Sequence, residues 1–163
     1  MSGHPIYSDE LLIQLGKLTI AHGMLEEMMA RMISAFTNPD DPKAEFDKAF
    51  DLPAAKKRTE LSRIFASRCQ ESGVNQQAEM DAALRLVKSA TEARNDIVHG
   101  LISEEADKRF FIRFGQSRPV TVDEVEAVIM GLALADIEVL KPIAVVWNST
   151  LGHFDQKPKP EGE

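Results

Sequence analysis

Apolar residues recur at alternating steps of four and three along most of the chain, which is the spacing of amphipathic helices. The first run follows Ser8, a favourable N-cap residue, and the acidic pair Asp9 and Glu10. Prolines and turn-forming residues at 37–42 predict its end. One long first helix is therefore predicted, with this seam: Leu11, Leu15, Leu18, His22, Leu25, Met29, Met32 and Phe36.

Three more substantial helices and one short helical piece are predicted along the chain. The short piece covers 43–50. The three helices are one from Pro53 to Arg68 that Gly73 follows, one over about 75–98, and a final helix that begins at the capping pattern Thr121 to Glu124. Aromatic and β-branched residues followed by turn residues predict a small β-hairpin excursion over 106–120. The fold class expected is all-α: a four-to-five-helix up-and-down bundle with this excursion before the last helix.

Length and composition predict one domain over 1–154, and the charged, proline-rich residues 155–163 predict a disordered tail. Cys69 is the single cysteine, so no intrachain disulfide is expected and the cytoplasm is the simplest location. No uncharged apolar run reaches bilayer length, so no membrane association is expected. The formal net charge of -7 argues against a general nucleic-acid coating protein.

The helix over 75–98 ends in a group of polar residues. Its apolar stripe reads Met80, Leu84, Val87, Thr91, Arg94 and Val98, so Arg94 interrupts the buried side. Asn95 and His99 lie four residues apart on one face of the helix, and Arg94 is one residue from Asn95 around the helix axis. We therefore expect all three side chains on one side of the helix. In a purely structural interpretation, His99 complements the helix dipole and Arg94 pairs with Glu26 or Glu27. In a chemical interpretation, the three residues form a site, because a desolvated guanidinium needs an anion.

The string Arg94-Asn95-Asp96-Ile97-Val98-His99 resembles the R-x4-6-H motif of the HEPN superfamily, in which a polar residue usually follows the arginine. The order of helices is similar as well. This resemblance implies a metal-independent endoribonuclease in which the ribose 2′-OH attacks the adjacent phosphate. It assigns proton transfer to His99, phosphate stabilisation to Arg94 and orientation to Asn95.

The resemblance also implies partners. Two bundles would pair as a homodimer with both motifs in one cleft, around an RNA substrate. A role as a toxin or defence component follows, with an antitoxin or another protein as partner. The alternative is a non-catalytic HEPN-like helical module that binds a protein or a nucleotide. Methionines at 28, 29 and 32 could belong to the dimer surface or, more simply, to the core.

The remaining candidate groups carry weaker signals. Lys56, Lys57 and Arg58 form the most basic stretch and are either a solvated face or a weak RNA-binding surface. His22 is interpreted as a structural histidine, and Cys69 as a small core residue. The histidines lack metal-ligand spacing, and P-loop and dinucleotide motifs are missing from the sequence, so neither a metal nor a cofactor is expected.

Overall fold

The computed structural model describes residues 8–38, 40–100, 104–105, 108–109, 111–113, 116–118 and 120–154. Over these residues five α-helices are present, so the all-α prediction is confirmed. They are α1 (Asp9–Thr37), α2 (Pro42–Phe50), α3 (Ala54–Ser72), α4 (Gln77–Gly100) and α5 (Val122–Phe154). No helix in this part of the chain combines the length and the apolar character needed to span a bilayer.

Local sequence signals fix where the helices begin and end. Ser8 Oγ accepts a hydrogen bond from the backbone N–H of Leu11 at 3.1 Å, which caps α1. Thr121 and Glu124 form a reciprocal capping box before α5, with distances of 3.0 and 3.2 Å. Gly73 ends α3 with a φ of 70°, a left-handed conformation that glycine adopts without a Cβ penalty.

Four short strands lie between α4 and α5. They are β1 (Glu104–Glu105), β2 (Lys108–Arg109), β3 (Phe111–Arg113) and β4 (Gln116–Arg118). β1 pairs with β2 and β3 pairs with β4, both antiparallel. The connecting residues lie outside the described part of the chain, so the single hairpin excursion over 106–120 stays a prediction. The tail predicted over 155–163 also lies outside the described residues.

The chain divides into two compact units, and the prediction of one domain over 1–154 is not tested by this division. Unit 1 comprises Met1–Glu27 and Leu86–Asp136. Its described core is built from the apolar sides of α1, α4 and α5, and Gln14 Nε2 donates a hydrogen bond to Glu126 Oε1 at 2.6 Å to join two of these helices. The buried apolar residues are Leu11, Leu18, Leu25, Val87, Ala90, Ile97, Val120, Val125, Leu132 and Ala135.

Unit 2 comprises Met28–Arg85 and Ile137–Glu163. The ring of Phe36 lies 6.2 Å from Phe65 and 5.8 Å from Trp147, so α1, α3 and α5 meet around one aromatic residue. Arg68 on α3 donates from Nε (3.1 Å) and from Nη2 to the carbonyl oxygen of Phe36. Because α1 ends at Thr37, this guanidinium caps the C-terminal end of the helix.

Candidate functional site

The last two turns of α4 place the three predicted site residues at different depths. Arg94 and Asn95 are half-buried and His99 is exposed. The predicted stripe is confirmed through Thr91, which is buried and donates to the Val87 carbonyl at 2.8 Å. It is wrong at its end, because Ile97 is buried there and Val98 is only half-buried. Arg94 therefore follows a buried threonine and precedes a buried isoleucine on the inner side of α4.

The Arg94 guanidinium is only partly satisfied. Its Nη1 donates to Asn95 Oδ1 at 3.0 Å. Its Nε is buried, and no atom of the described residues accepts a hydrogen bond from it. A buried donor without an acceptor costs free energy, so this arrangement is unusual for a purely structural arginine.

No carboxylate among the described residues forms an ion pair with Arg94, and this includes Glu26 and Glu27. Glu26 instead lies near His22, with 3.8 Å between its Oε1 and the histidine Nε2 one helical turn earlier. The structure therefore does not contain the ion pair that the structural interpretation of Arg94 requires. A permanent cation with free donor capacity is left beside Asn95.

His99 is the basic residue in the last turn of α4, at the negative end of the helix dipole. α4 is helical throughout this stretch, so five residues rotate His99 by about 140° from Arg94 around the helix axis. Asn95 and His99 share one face, whereas Arg94, which is half-buried like Asn95, lies on the side of the buried Thr91 and Ile97. The Cα atoms of Arg94 and His99 therefore lie on different sides of α4, although Arg94 Nη1 reaches Asn95, which shares a face with His99. That all three side chains lie on one side stays a prediction.

The basic stretch at the start of α3 does not form one solvated surface. Lys56 is exposed, and Arg58 is half-buried with a buried Nη1 that has no acceptor in the described chain. Lys57 is 2% exposed, and its Nζ lies 5.0 Å from the centroid of the Phe50 ring. The ammonium of Lys57 is thus inside unit 2 in a cation–π contact, and only Lys56 of the three presents itself fully to solvent.

Sequence reasoning missed Asp136. Its Oδ1 is buried and without a hydrogen-bond partner among the described residues, and burial raises the pKa of its carboxyl. A signal existed in the sequence, because Leu132 and Val139 are buried on α5 and the spacing of 132, 136 and 139 places Asp136 on that side. Nothing else in the described structure assigns it a chemical role.

Other groups match their simpler interpretations. Cys69 is a buried free thiol, and Met29 is buried in the core, whereas Met28 and Met32 are half-buried. Within the described residues there is no cluster of three His, Cys, Asp or Glu side chains that could hold a metal ion. The chain matches no protein-family model, no curated protein and no solved structure. The HEPN resemblance therefore depends on the motif and on the order of helices.

Proposed function

We propose that this protein is a metal-independent endoribonuclease of HEPN type, whose active site is shared between two copies of the chain. The observation that supports the proposal best is the state of Arg94. It is half-buried near the end of α4, donates to Asn95, and keeps a buried Nε without a protein acceptor. Because the Nε is buried, a phosphate would bind the Nη groups of this guanidinium and supply the missing negative charge.

In the proposed reaction His99 accepts the proton of a ribose 2′-OH. The 2′ oxygen then bonds to the adjacent phosphorus while the bond from phosphorus to the 5′ oxygen breaks. The products are a 2′,3′-cyclic phosphate and a 5′-OH, and the leaving oxygen requires a proton from a second donor. Arg94 would stabilise the charge that develops on the phosphorane oxygens.

The geometry of α4 supplies a reason for two copies. Arg94 and His99 of one helix lie about 140° apart around its axis, and each chain offers one such histidine. Two helices that meet about a two-fold axis would face the His99 of one protomer with the Arg94 of the other. They would also supply one histidine as proton acceptor and the other as donor. A homodimer is thus part of the proposal, and an antitoxin or another protein partner remains a further expectation.

The test is cleavage of single-stranded RNA by the purified protein in excess EDTA, followed by analysis of the product ends. We expect 2′,3′-cyclic phosphate ends, loss of cleavage in His99→Ala, and normal cleavage in Arg85→Met, an exposed arginine on the same helix. Cleavage that requires added Mg2+, or that survives His99→Ala, would contradict the proposal.

A mixing experiment tests the shared site directly. Wild-type protein and His99→Ala are unfolded together, refolded, and assayed over a range of wild-type fractions. If both histidines are needed in each dimer, activity falls with the square of the wild-type fraction. A linear decrease would show that each chain works alone, and the composite site would then be rejected.

A second function is favoured by one observation, the hydrogen bond between Arg94 and Asn95. If this bond and the packing of Arg94 are all that the motif provides, the chain is a non-catalytic helical module that binds a protein or a nucleotide. It also fits this alternative that no described residue orients the His99 ring by a hydrogen bond. The absence of cleavage in both wild type and variants, together with recovery of one specific partner, would favour the module.

A further inference from the structure

Unit 2 contains a cavity of about 440 Å3 among residues of α1, α2, α3 and the turn between α2 and α3. This volume lies within the range of small-molecule sites in proteins, about 300–1,000 Å3. The apolar residues of its lining, called the floor below, are Ile33, Ala49 and Leu52, of which the first two are buried. A floor of this kind favours a flat or branched apolar group, because binding removes apolar surface from water.

Charged side chains line the rest of this cavity, and most of them are already paired. Lys48 Nζ lies 2.9 Å from Glu45 Oε1 on the same helix. Glu60 accepts two hydrogen bonds from Arg63, at 2.6 and 3.0 Å, and these hold the pKa of its carboxyl below the usual value. Both carboxylates are therefore neutralised by neighbouring cations at neutral pH.

Lys56 is the exception. It lines the same cavity, is exposed, and forms no ion pair or hydrogen bond with any described residue. The cavity thus combines an apolar floor with one ammonium whose charge is not compensated by the protein. The hydroxyl group of Thr37 also lines the cavity, and so does that of Thr59, which donates to the Ala55 carbonyl at 3.1 Å and can still accept a hydrogen bond.

We propose that the cavity is a binding site for a small organic monoanion, an apolar body that carries one carboxylate or phosphodiester group. The apolar body would cover Ile33, Ala49 and Leu52, and the anion would bind Lys56 Nζ. A single negative charge fits best, because Lys56 is the one lining cation that no described carboxylate pairs with. The cavity shares no residue with the proposed nuclease centre, since Arg94 and His99 belong to unit 1 and every lining residue belongs to unit 2.

The experiment titrates the full-length protein with three probes of similar size and follows backbone and methyl NMR signals. The probes are 3-phenylpropionate, methyl phenyl phosphate and the uncharged 3-phenyl-1-propanol. We expect the methyl signals of Ile33, Ala49 and Leu52 to shift with all three probes. We also expect at least one of the two anions to bind more tightly than the alcohol. Whichever anion binds more tightly identifies the carboxylate or the phosphodiester as the preferred group.

Two variants and one control complete the design. Lys56→Gln should weaken binding of the anions about fivefold and leave the alcohol unchanged, because only the charged contact is lost. Thr59→Phe should weaken the binding of all three probes, because the larger side chain would occupy the cavity. Lys88→Gln, an exposed lysine on α4 outside the cavity, should change nothing.

The proposal is overturned if none of the probes shifts the methyl signals of the floor residues. It is equally overturned if Lys56→Gln and Lys88→Gln weaken the binding of the anions to the same extent, since that would indicate a non-specific charge effect. RNA cleavage in the same samples is a separate readout. Its loss or retention bears only on Arg94 and His99, so failure of one proposal is distinguishable from failure of the other.

Discussion

Replacement of Arg94 by methionine separates the two interpretations of the motif, because the structure predicts opposite effects on stability and activity. Methionine has a similar helix propensity and a similar length, so the backbone of α4 should be unaffected. The change removes the Nη1 hydrogen bond to Asn95, worth about 1 kcal/mol. It also removes the buried Nε that has no described acceptor, which relieves a cost of about 1–3 kcal/mol.

The net expectation for Arg94→Met is a gain in the free energy of unfolding of about 1 kcal/mol, because the two contributions have opposite sign and the second is larger. Asn95 is half-buried, so water can replace the lost donor and no further penalty is expected. In a chain of this size the gain corresponds to a rise in Tm of about 2–4 °C. RNA cleavage, if the proposed function is correct, should fall by about 100-fold or more.

Urea denaturation followed by circular dichroism at 222 nm measures the change in stability, and the EDTA cleavage assay measures activity on the same preparation. Arg85→Met is the matched control and should alter stability by less than about 0.5 kcal/mol. If Arg94→Met instead destabilises the protein by more than about 1.5 kcal/mol, the guanidinium is a structural element. The argument from the unfilled Nε would then be refuted, whatever the effect on cleavage.

Two predictions concern groups outside the motif. Arg68→Ala should destabilise the protein by about 1.5–3 kcal/mol, because a charged double donor to the Phe36 carbonyl is lost. Arg63→Ala on the same helix, which loses only a surface ion pair, should destabilise the protein clearly less than Arg68→Ala, and equal effects in urea denaturation would disprove the capping role. Burial raises the folded pKa of Asp136, so stability is greatest below the unfolded pKa and declines as pH rises through the folded pKa. Asp136→Asn should abolish this decline in thermal unfolding between pH 3 and 7, and an unchanged pH profile would contradict it.

Several features of the fold were predictable because they depend on contacts within three or four residues. The cap at Ser8, the capping box from Thr121 to Glu124 and the end of α3 at Gly73 each occur where the sequence predicts them. Such interactions involve neighbours along the chain, so residue type and spacing are sufficient to identify them. Pro53 is displaced by one position only, since it is the N-cap residue of α3 instead of its first helical residue.

Other features depend on residues that are distant in sequence, and only the tertiary structure decided them. The sequence shows Lys57 as one of three adjacent basic residues, but packing of α3 against Phe50 places its ammonium in the interior. Arg68 caps a helix that ends more than thirty residues earlier in the chain. Helical periodicity predicts which side of a helix is buried, but it does not state which atoms meet there.

The candidate site also has features that the sequence predicts and features that depend on the tertiary structure. The sequence by itself determined that Arg94, Asn95 and His99 lie at the end of a helix, with Asn95 and His99 on one face, because that depends only on helical rotation. The tertiary structure decided that Arg94 has no carboxylate partner among the described residues and that its Nε is buried without an acceptor. The cavity beside Lys56 also exists only because three helices pack there. Burial and the pairing of charges depend on which elements meet, and a one-dimensional pattern does not contain that information.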